Sequence, residues 1–404
     1  MILKLIWRNL WRNSRRTLIT IASIAFAVLF AVLMESFQKG VFNNLIKNVV
    51  SYYSGYIQVH RNGYWDEQVL ENSFDSEEKL FSILKDDNSV QEIVPRLETF
   101  VLASNVSTTK GCLLVGTDPV KENNLTQLKK KLIKGKYFEN DEEAVLLAEG
   151  LANRLNLKVN DTIVLFGQGY HDVMAAGKYK IKGIVYLASP QMNDSFVYLP
   201  LTVAQYFLSA QNRLTTISLG IDDPDDLETI NQKLKSEVDK KYEVMSWEEL
   251  LPEISNHIKT DTFNLYIFLG ILYLIIGFGI FGTVLMMTSE RKYEFGMLIA
   301  IGMEKSKLEL VLLGETLLIT VLGVVLGILL SMPFVIYFKE EPIRFGGELA
   351  KAYVQFGFEP IFPTDLNPNI FLKQSMIVMI MALIIGLYPL WNVKNLNPVK
   401  AMKK

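Results

Sequence analysis

The stretch TFNLYIFLGILYLIIGFGIFGTVLMMTS, from Thr262 to Ser289, contains no Asp, Glu, Lys or Arg. A helix needs about 20 mostly apolar residues to cross a bilayer, so this stretch predicts a membrane span. Three more uncharged stretches are Thr17 to Met34, Thr316 to Phe338 and Gln374 to Val393. Because one long polar region separates the first span from the other three, the chain is predicted to be a four-helix membrane protein with an inserted globular domain.

Charge is segregated along the chain. The net charge of −2 comes from 41 basic and 43 acidic residues, but residues 1–16 and 394–404 contain basic residues and no acid. The region 39–261 contains 24 basic and 32 acidic residues. Lys and Arg resist translocation, so both termini are predicted to be cytoplasmic and the inserted domain extracytoplasmic. The first apolar stretch is too long to be a removable signal peptide.

Charge and hydropathy together predict nine segments. These are an amphipathic cytoplasmic interface helix at 1–16, a span at 17–38, the extracytoplasmic domain at 39–261, a span at 262–289, a cytoplasmic helical loop at 290–307, a span at 308–338, an extracytoplasmic loop at 339–369, a span at 370–393 and a cytoplasmic tail at 394–404.

The first segment has the pattern of a helix lying in the membrane interface. Lys4, Arg8 and Arg12 recur every four residues on one face, and the apolar side chains occupy the other. That second face consists of Leu3, Ile6, Trp7, Leu10 and Trp11.

Glycines in the spans predict close helix packing, either within the chain or between subunits. Gly323 and Gly327 form a GxxxG pair, and the second span contains Gly270, Gly277, Gly279 and Gly282.

The inserted region alternates short strand and helix patterns, which predicts an α+β domain with antiparallel or mixed sheets. Its length allows two lobes, with a β-rich middle inserted between two β-α portions. The predicted strands are 56–60, 99–104, 112–115, 162–166, 179–186, 196–199, 216–221 and 243–245, and the predicted helices are 75–84, 142–155, 202–209 and 224–240.

Patterns typical of catalysis, nucleotide binding or metal binding are missing from the sequence. His60, His171 and His257 lie far apart, and none has a second ligand at metal-binding spacing. There is no GxSxG elbow and no GxxxxGK[ST] loop. We therefore expect no enzyme active site, no cofactor and no nucleic-acid partner. The single cysteine, Cys112, is expected to be a small buried side chain.

One acidic residue inside a span allows two interpretations. Glu315 lies about two turns into the third span, where a carboxylate is either functional or held by a basic neighbour near headgroup depth.

The loop SERKYEFGMLIAIGMEKSK, residues 289–307, predicts a short helix ended by Gly302. Phe295, Met297, Leu298 and Ile301 are its apolar side chains. A short helix with polar ends and an apolar face, placed between two spans, is suited to docking on another protein.

This loop resembles the coupling helix of type VII ABC transporter permeases, the family of MacB, FtsX and the lipoprotein-releasing LolC and LolE subunits. The matching residues are Arg291, Glu294, Phe295, Gly296, Met297, Ala300, Ile301 and Gly302, whereas Ile299 replaces the usual basic residue. Pro389, Leu396 to Val399, Ala401 and Met402 fit the closing motif of the family. The segments 7–17 and 144–162 are similar to its N-terminal helix and to an outer helix–turn–strand.

The resemblance implies a non-enzymatic permease of the inner (cytoplasmic) membrane. Its partners would be a separate cytoplasmic ATPase of MacB/LolD type, a second permease chain in a homo- or heterodimer, and membrane lipids. The ATPase-coupling residues would be Arg291, Glu294, Phe295, Gly296, Met297, Ala300 and Gly302. The outer domain would consist of a porter-like lobe and a smaller inserted lobe. The segment 339–369, with Phe356 and Phe358, departs from the family and is expected either to cap the outer domain or to be a packed connector.

Among the family's functions, release of lipoproteins from the inner membrane to a periplasmic carrier is the expected one. The alternatives are a MacB-like efflux or peptide exporter and an FtsX-like signal transmitter to a cell-wall hydrolase; a membrane-anchored enzyme is the rival from another class. Lipoprotein acyl chains would enter sideways at the outer ends of the first two spans, where the same side chains could equally be lipid-facing or packing residues. The candidate groove residues are Phe30, Met34, Phe37, Phe263, Tyr266, Ile267 and Phe268.

Overall fold

The computed structural model of the chain describes residues 2–12, 14–105, 107–355, 360–395 and 401. Phe356, Phe358, Leu396 to Val399 and Met402 of the sequence predictions lie outside the described residues. The chain forms two compact units. The helical unit comprises Met1–Asn44, His257–Arg344 and Ile361–Lys404, and the sheet unit comprises Leu45–Asn256 and Phe345–Pro360.

The regular elements follow in chain order. The helices are α1 (Ile2–Arg12), α2 (Ser14–Val49), α3 (Tyr64–Glu67), α4 (Glu78–Lys85), α5 (Pro119–Thr126), α6 (Glu149–Arg154), α7 (Pro190–Asn193), α8 (Leu201–Phe207), α9 (Leu227–Glu237), α10 (Trp247–Leu250), α11 (Pro252–Glu290), α12 (Lys292–Ala300), α13 (Lys305–Glu340), α14 (Gly347–Gln355) and α15 (Pro368–Lys394). The strands are β1 (Ile57–Arg61), β2 (Phe74–Asp75), β3 (Val90–Ser104), β4 (Thr109–Thr117), β5 (Leu132–Gly135), β6 (Ala144–Ala148), β7 (Thr162–Gln168), β8 (Met174–Val185), β9 (Phe196–Pro200), β10 (Arg213–Leu214), β11 (Thr216–Ile221), β12 (Tyr242–Ser246), β13 (Ile343–Arg344) and β14 (Ile361–Phe362).

Among the described residues, four helices, α2, α11, α13 and α15, are long and apolar enough to cross a membrane. Together with the mixed α+β unit, they confirm the predicted fold class. The helices extend past the uncharged stretches: α2 continues to Val49 and α11 begins at Pro252. Polar residues do not end a helix by themselves, and Pro252 occupies the first helical position, where its missing N–H is not needed.

The GxxxG glycines pack inside the chain. A Cβ added to Gly323 would lie 2.6 Å from the Cβ of Ile24, and one added to Gly327 would lie 2.7 Å from that of Val28. Only glycine lets the α2 and α13 backbones approach so closely. By contrast, Gly270 and Gly277 of α11 have no atom within 4 Å of an added Cβ.

The 339–369 segment is a packed connector where its second half meets α2. β13 pairs antiparallel with β14, with Ile343 opposite Phe362. The backbone of Pro363 and Thr364 leaves no room for a side chain at Gly40. The Ser36 hydroxyl donates to the carbonyl of Asp365 at 2.5 Å.

The sheet unit contains a ten-stranded sheet in the order β12-β1-β11-β3-β4-β9-β6-β8-β5, and β7 pairs with both β3 and β8. The pairings β3-β4-β9-β6-β8-β7-β3 therefore close on themselves as a six-stranded barrel. Cys112, Leu114, Val145, Ile163 and Val197 are among the buried side chains of its core. The other strands, β12, β1 and β11, extend β3 into an open sheet. The sheet unit thus has an open-sheet part and an inserted barrel.

One predicted helix of the sheet unit is wrong. The structure divides 142–155 into β6 and the short helix α6. The run AVLLA is buried along its whole length between β8 and β9. A short, fully buried apolar run has no periodicity that separates a strand from a helix. Pairing within the barrel wall makes this run a strand.

Candidate functional site

The candidate site is α12 with the side chains that hold it. Phe295 is only 1% exposed, and it packs with Leu308 and Leu312 of α13 and with Val393 of α15. Gly296 is buried beside it. The helix is therefore fastened to the rest of the helical unit by its aromatic side chain.

Gly302 ends this helix by its backbone conformation. Its φ of +104° lies in the region that side chains other than glycine rarely adopt. The Gly302 N–H donates to the carbonyl of Ile299 at 3.1 Å, and the Met303 N–H donates to that of Leu298 at 2.9 Å. These bonds satisfy carbonyls of the last turn and redirect the chain into α13.

A charged network joins α12 to α1 and α13. The Arg291 guanidinium donates to the Glu315 carboxylate at 2.6 Å, and Asn9 Nδ2 donates to the same carboxylate at 2.8 Å. Arg12 donates to Glu294 at 2.6 Å, and Glu294 also lies 3.5 Å from Arg291. Because Glu315 is buried, its charge requires these donors. The interpretation of Glu315 as a carboxylate held by a basic neighbour matches this geometry.

The outer surface of α12 carries an apolar stripe. Tyr293, Met297 and Ile301 are 56%, 41% and 78% exposed. Their spacing of four residues places them on one face of the helix. Ala300 and Gly302 are exposed beside this stripe. We call Tyr293, Met297 and Ile301 the α12 stripe.

The structure corrects part of the sequence prediction for this helix. Phe295 was placed on the apolar face suited to docking, but its own chain buries it. Arg291 and Glu294 likewise bond within the chain. Of the predicted coupling residues, Met297, Ala300 and Gly302 are on the surface. Sequence reasoning missed the contacts of Asn9 and Arg12, because nothing in the local pattern shows that residues 306 and 282 positions apart meet. It also missed Tyr293, because a local pattern does not show which face of the helix stays exposed.

The candidate groove residues are only partly brought together. Phe37 and Phe268 line one open recess of about 530 Å³ at the end of α2 and α11, together with Val41, Phe42 and Leu265. Gln38, Asp261, Asn264, Ile343 and Phe362 complete its lining.

The other five predicted groove residues do not line this recess. Phe30, Met34, Phe263 and Ile267 are exposed elsewhere on the helices. The Tyr266 hydroxyl is 3.1 Å from the Lys373 ammonium, which donates to it. The same ammonium donates to the buried Glu35 carboxylate at 3.0 Å, and Gln374 is a further donor to Glu35. This second buried acid therefore ties α2 to α15.

The sheet unit contains a buried ionic cluster. The fully buried Arg96 donates through Nε and one Nη to the two Glu122 oxygens, both at 2.9 Å, and through the other Nη to the Tyr53 carbonyl at 2.6 Å. Burial raises the pKa of the Glu98 carboxyl, which lies 3.7 Å from Arg96, and the guanidinium partly offsets this. Because these buried charges pair with one another, a structural role is enough to explain them.

Single titratable side chains of the sheet unit are also buried. Burial raises the pKa of the Cys112 thiol to about 12 and lowers the pKa of His60 to about 3. A thiol with so high a pKa is a poor nucleophile. Within the part of the chain that the structure describes, no group of three or more His, Cys, Asp or Glu side chains could hold a metal ion.

Comparison with known families matches both units. The family model "FtsX-like permease C-terminal" matches residues 266–398, and the model "MacB-like periplasmic core domain" matches residues 17–237, which is more than half of the chain.

Relatives and solved structures are distant. An uncharacterized ABC transporter permease of Methanocaldococcus jannaschii is 20% identical over 278 residues, which cover 67% of this chain and 64% of that protein. The macrolide export ATP-binding/permease protein MacB of Campylobacter jejuni is 28% identical over 139 residues, covering 33% of this chain and 19% of that protein. The chain thus spans less than two thirds of these relatives.

Among solved structures, the periplasmic region of MacB from Actinobacillus actinomycetemcomitans is 15% identical, with a TM-score of 0.37, and the match covers 52% of this chain and 96% of that one. The two family models lie in the order expected for one permease, the MacB-like domain beginning near the first span and the FtsX-like domain containing the other three. The chain belongs to the MacB/FtsX family of ABC transporter permeases.

Proposed function

We propose that this chain couples ATP hydrolysis on a separate cytoplasmic ATPase to motion of its sheet unit, with both termini in the cytoplasm and the sheet unit outside the inner membrane. The observation that carries the proposal is the α12 stripe. It places three large apolar side chains in solvent on a helix that is otherwise clamped by Phe295 and Glu315. An exposed apolar stripe on a rigid support is typical of a docking surface.

Because Phe295 and Glu315 clamp α12, a movement of the docking surface should also move the helices that hold it. A force on α12 is passed to α13 through Arg291 and Glu315, and to α1 through Glu294 and Arg12. The Arg291–Glu315 contact is largely buried and resists deformation, so α12 and α13 should move together. The Arg12–Glu294 pair is exposed and adds a weaker link to α1.

The docking proposal is tested by substituting the α12 stripe. Ile301→Ser and Tyr293→Ala are expected to reduce co-purification of the ATPase at least tenfold, because truncating a central apolar contact commonly costs about 2 kcal/mol. Leu310→Ser is the matched control, since Leu310 is 56% exposed on α13 outside the stripe. The chain alone is expected to hydrolyse no ATP. Normal co-purification of the ATPase with both stripe variants would show that the α12 stripe is not the docking site.

We further propose lipoprotein release as the transport function. Support comes from the recess lined by Phe37 and Phe268. It is lined mostly by apolar side chains and lies beside two spanning helices. The MacB-like exporter function remains the alternative, because matched relatives include proteins named for macrolide export. No feature of the recess supports an FtsX-like signalling role.

Photo-crosslinking separates these functions. A photoreactive residue at Phe268, inside the recess, is expected to capture acylated lipoprotein when ATP is absent. The same residue at Phe263, which is 65% exposed outside the recess, is the matched control and should capture phospholipid. Capture of phospholipid alone at both positions, with a labelled macrolide or peptide bound elsewhere, would favour export.

A further inference from the structure

The helix α1 is held against the helical unit by one narrow apolar row. Ile6 and Leu10 are 5% and 1% exposed, and they pack in one cluster with Val311 of α13. Ile6 also contacts the α13 backbone at Gly314, where no side chain intervenes. This row packs α1 on α13, in addition to the bond that Asn9 donates to Glu315.

The two tryptophans do not share that row. They belong to the predicted apolar face, but α13 covers only the Ile6–Leu10 row and leaves them uncovered. Trp7 and Trp11 are 52% and 46% exposed, with their rings edge to face at 5.8 Å. The exposed Lys4 and Arg8 lie in the next row of the same helix. The free face of α1 therefore alternates indole rings with cations.

Two cations of this face are unpaired among the described residues, whereas two others near them are paired. Arg12 is paired with Glu294, and Arg16 is paired with Glu290. Among the residues that the structure describes, Lys4 and Arg8 make no ion pair and no side-chain hydrogen bond. Residues 1–16 contain no acid that could neutralise them.

The chemistry of the face identifies its ligand. Lys and Arg bind phosphate, and Trp prefers the headgroup level of a membrane, where its ring is apolar and its N–H reaches water. Free phosphate would leave the two indoles in water. The chain continues into α2, which exposes Leu18 and Ile19 by 51% and 66%, as expected of a lipid-facing helix. We propose that Lys4, Trp7, Arg8 and Trp11 form a binding face for the headgroups of anionic phospholipids.

The test uses the full chain in lipid nanodiscs that contain phosphatidylglycerol and phosphatidylcholine. Bromine is placed on the upper acyl carbons of one lipid at a time, and quenching of tryptophan fluorescence reports which lipid surrounds the indoles. Brominated phosphatidylglycerol is expected to quench more strongly than brominated phosphatidylcholine at the same mole fraction. Trp7→Phe combined with Trp11→Phe should abolish the difference, which assigns it to this face.

Charge removal completes the test. Lys4→Gln with Arg8→Gln is expected to reduce the preference for phosphatidylglycerol about twenty-fivefold, or roughly fivefold for each basic residue near an anionic surface. Lys305→Gln with Lys307→Gln removes the same charge from α13 and should leave the preference unchanged. Equal quenching by both lipids, or a preference that survives the α1 substitutions, would overturn the inference. Lost ATPase binding with unchanged quenching would instead assign the face to the ATPase. The measurement needs no partner subunit, so it stands apart from the proposed transport function.

Discussion

At the scale of single residues, one buried polar side chain of the sheet unit should affect how stability depends on pH. His60 is fully buried on β1, with its Nε2 2.9 Å from the Gln58 side-chain oxygen and its Nδ1 3.9 Å from Glu243. Its ring also stacks on Trp65 at 5.7 Å. Burial holds its pKa near 3, far below the ordinary value of 6.5, so the folded protein keeps this imidazole neutral.

His60 should therefore make the sheet unit sensitive to acid. Between about pH 6.5 and 3 the unfolded chain binds a proton at this residue that the folded chain does not, so stability falls as the pH falls. His60→Gln is expected to reduce the slope of unfolding free energy against pH by up to about 1.4 kcal/mol per pH unit over this range. Urea unfolding followed by Trp65 fluorescence measures it. Equal slopes for both proteins would show that His60 takes up its proton in the folded state.

At the scale of elements, Glu315 joins three helices at one carboxylate. Glu315→Gln removes the charge that faces Arg291, and it is expected to lower the unfolding free energy by about 1.5–3 kcal/mol, the usual value of a charge-assisted bond. Glu309→Gln, on the same helix, is the matched control. Thermal unfolding in detergent measures both. A Glu315→Gln protein as stable as the control would mean that the network does not hold α12.

The glycines of α13 and α11 have different surroundings, so a Gly→Ala substitution is predicted to have opposite effects on stability in the two helices. Gly327→Ala places a methyl against the Val28 side chain and the Ala25 carbonyl, and it should destabilise by about 1–3 kcal/mol. Gly279→Ala meets no atom within 4 Å and should stabilise by up to about 1 kcal/mol, because alanine favours helix. Thermal unfolding of the two variants shows whether each change in stability is positive or negative. Destabilisation by Gly279→Ala would indicate that a second chain packs on α11.

At the scale of the whole molecule, the single cysteine allows the topology to be measured directly. The raised pKa of the buried Cys112 thiol keeps it unreactive towards maleimide at neutral pH. A cysteine at Met174, which is 87% exposed in the sheet unit, should be labelled by a membrane-impermeant maleimide on intact cells. A cysteine at Lys307, beside α12, should be labelled only after permeabilisation. Labelling of both positions on intact cells would contradict the proposed orientation.

Hydropathy, charge and short motifs are local properties of the chain, so they were enough to predict the four membrane helices, the mixed α+β class of the inserted domain and the family. The sequence also indicated that Gly302 ends α12. It could not show that 144–148 is a barrel strand, since a short buried run has no diagnostic period. Nor could it show which face of α12 is free. Phe295 and Met297 belong to the same predicted apolar set, and only the packing of α13 and α15 buries one and leaves the other in solvent. The same reason separates Ile6 and Leu10 from Trp7 and Trp11, because a long-range contact chooses among side chains that a local pattern treats alike.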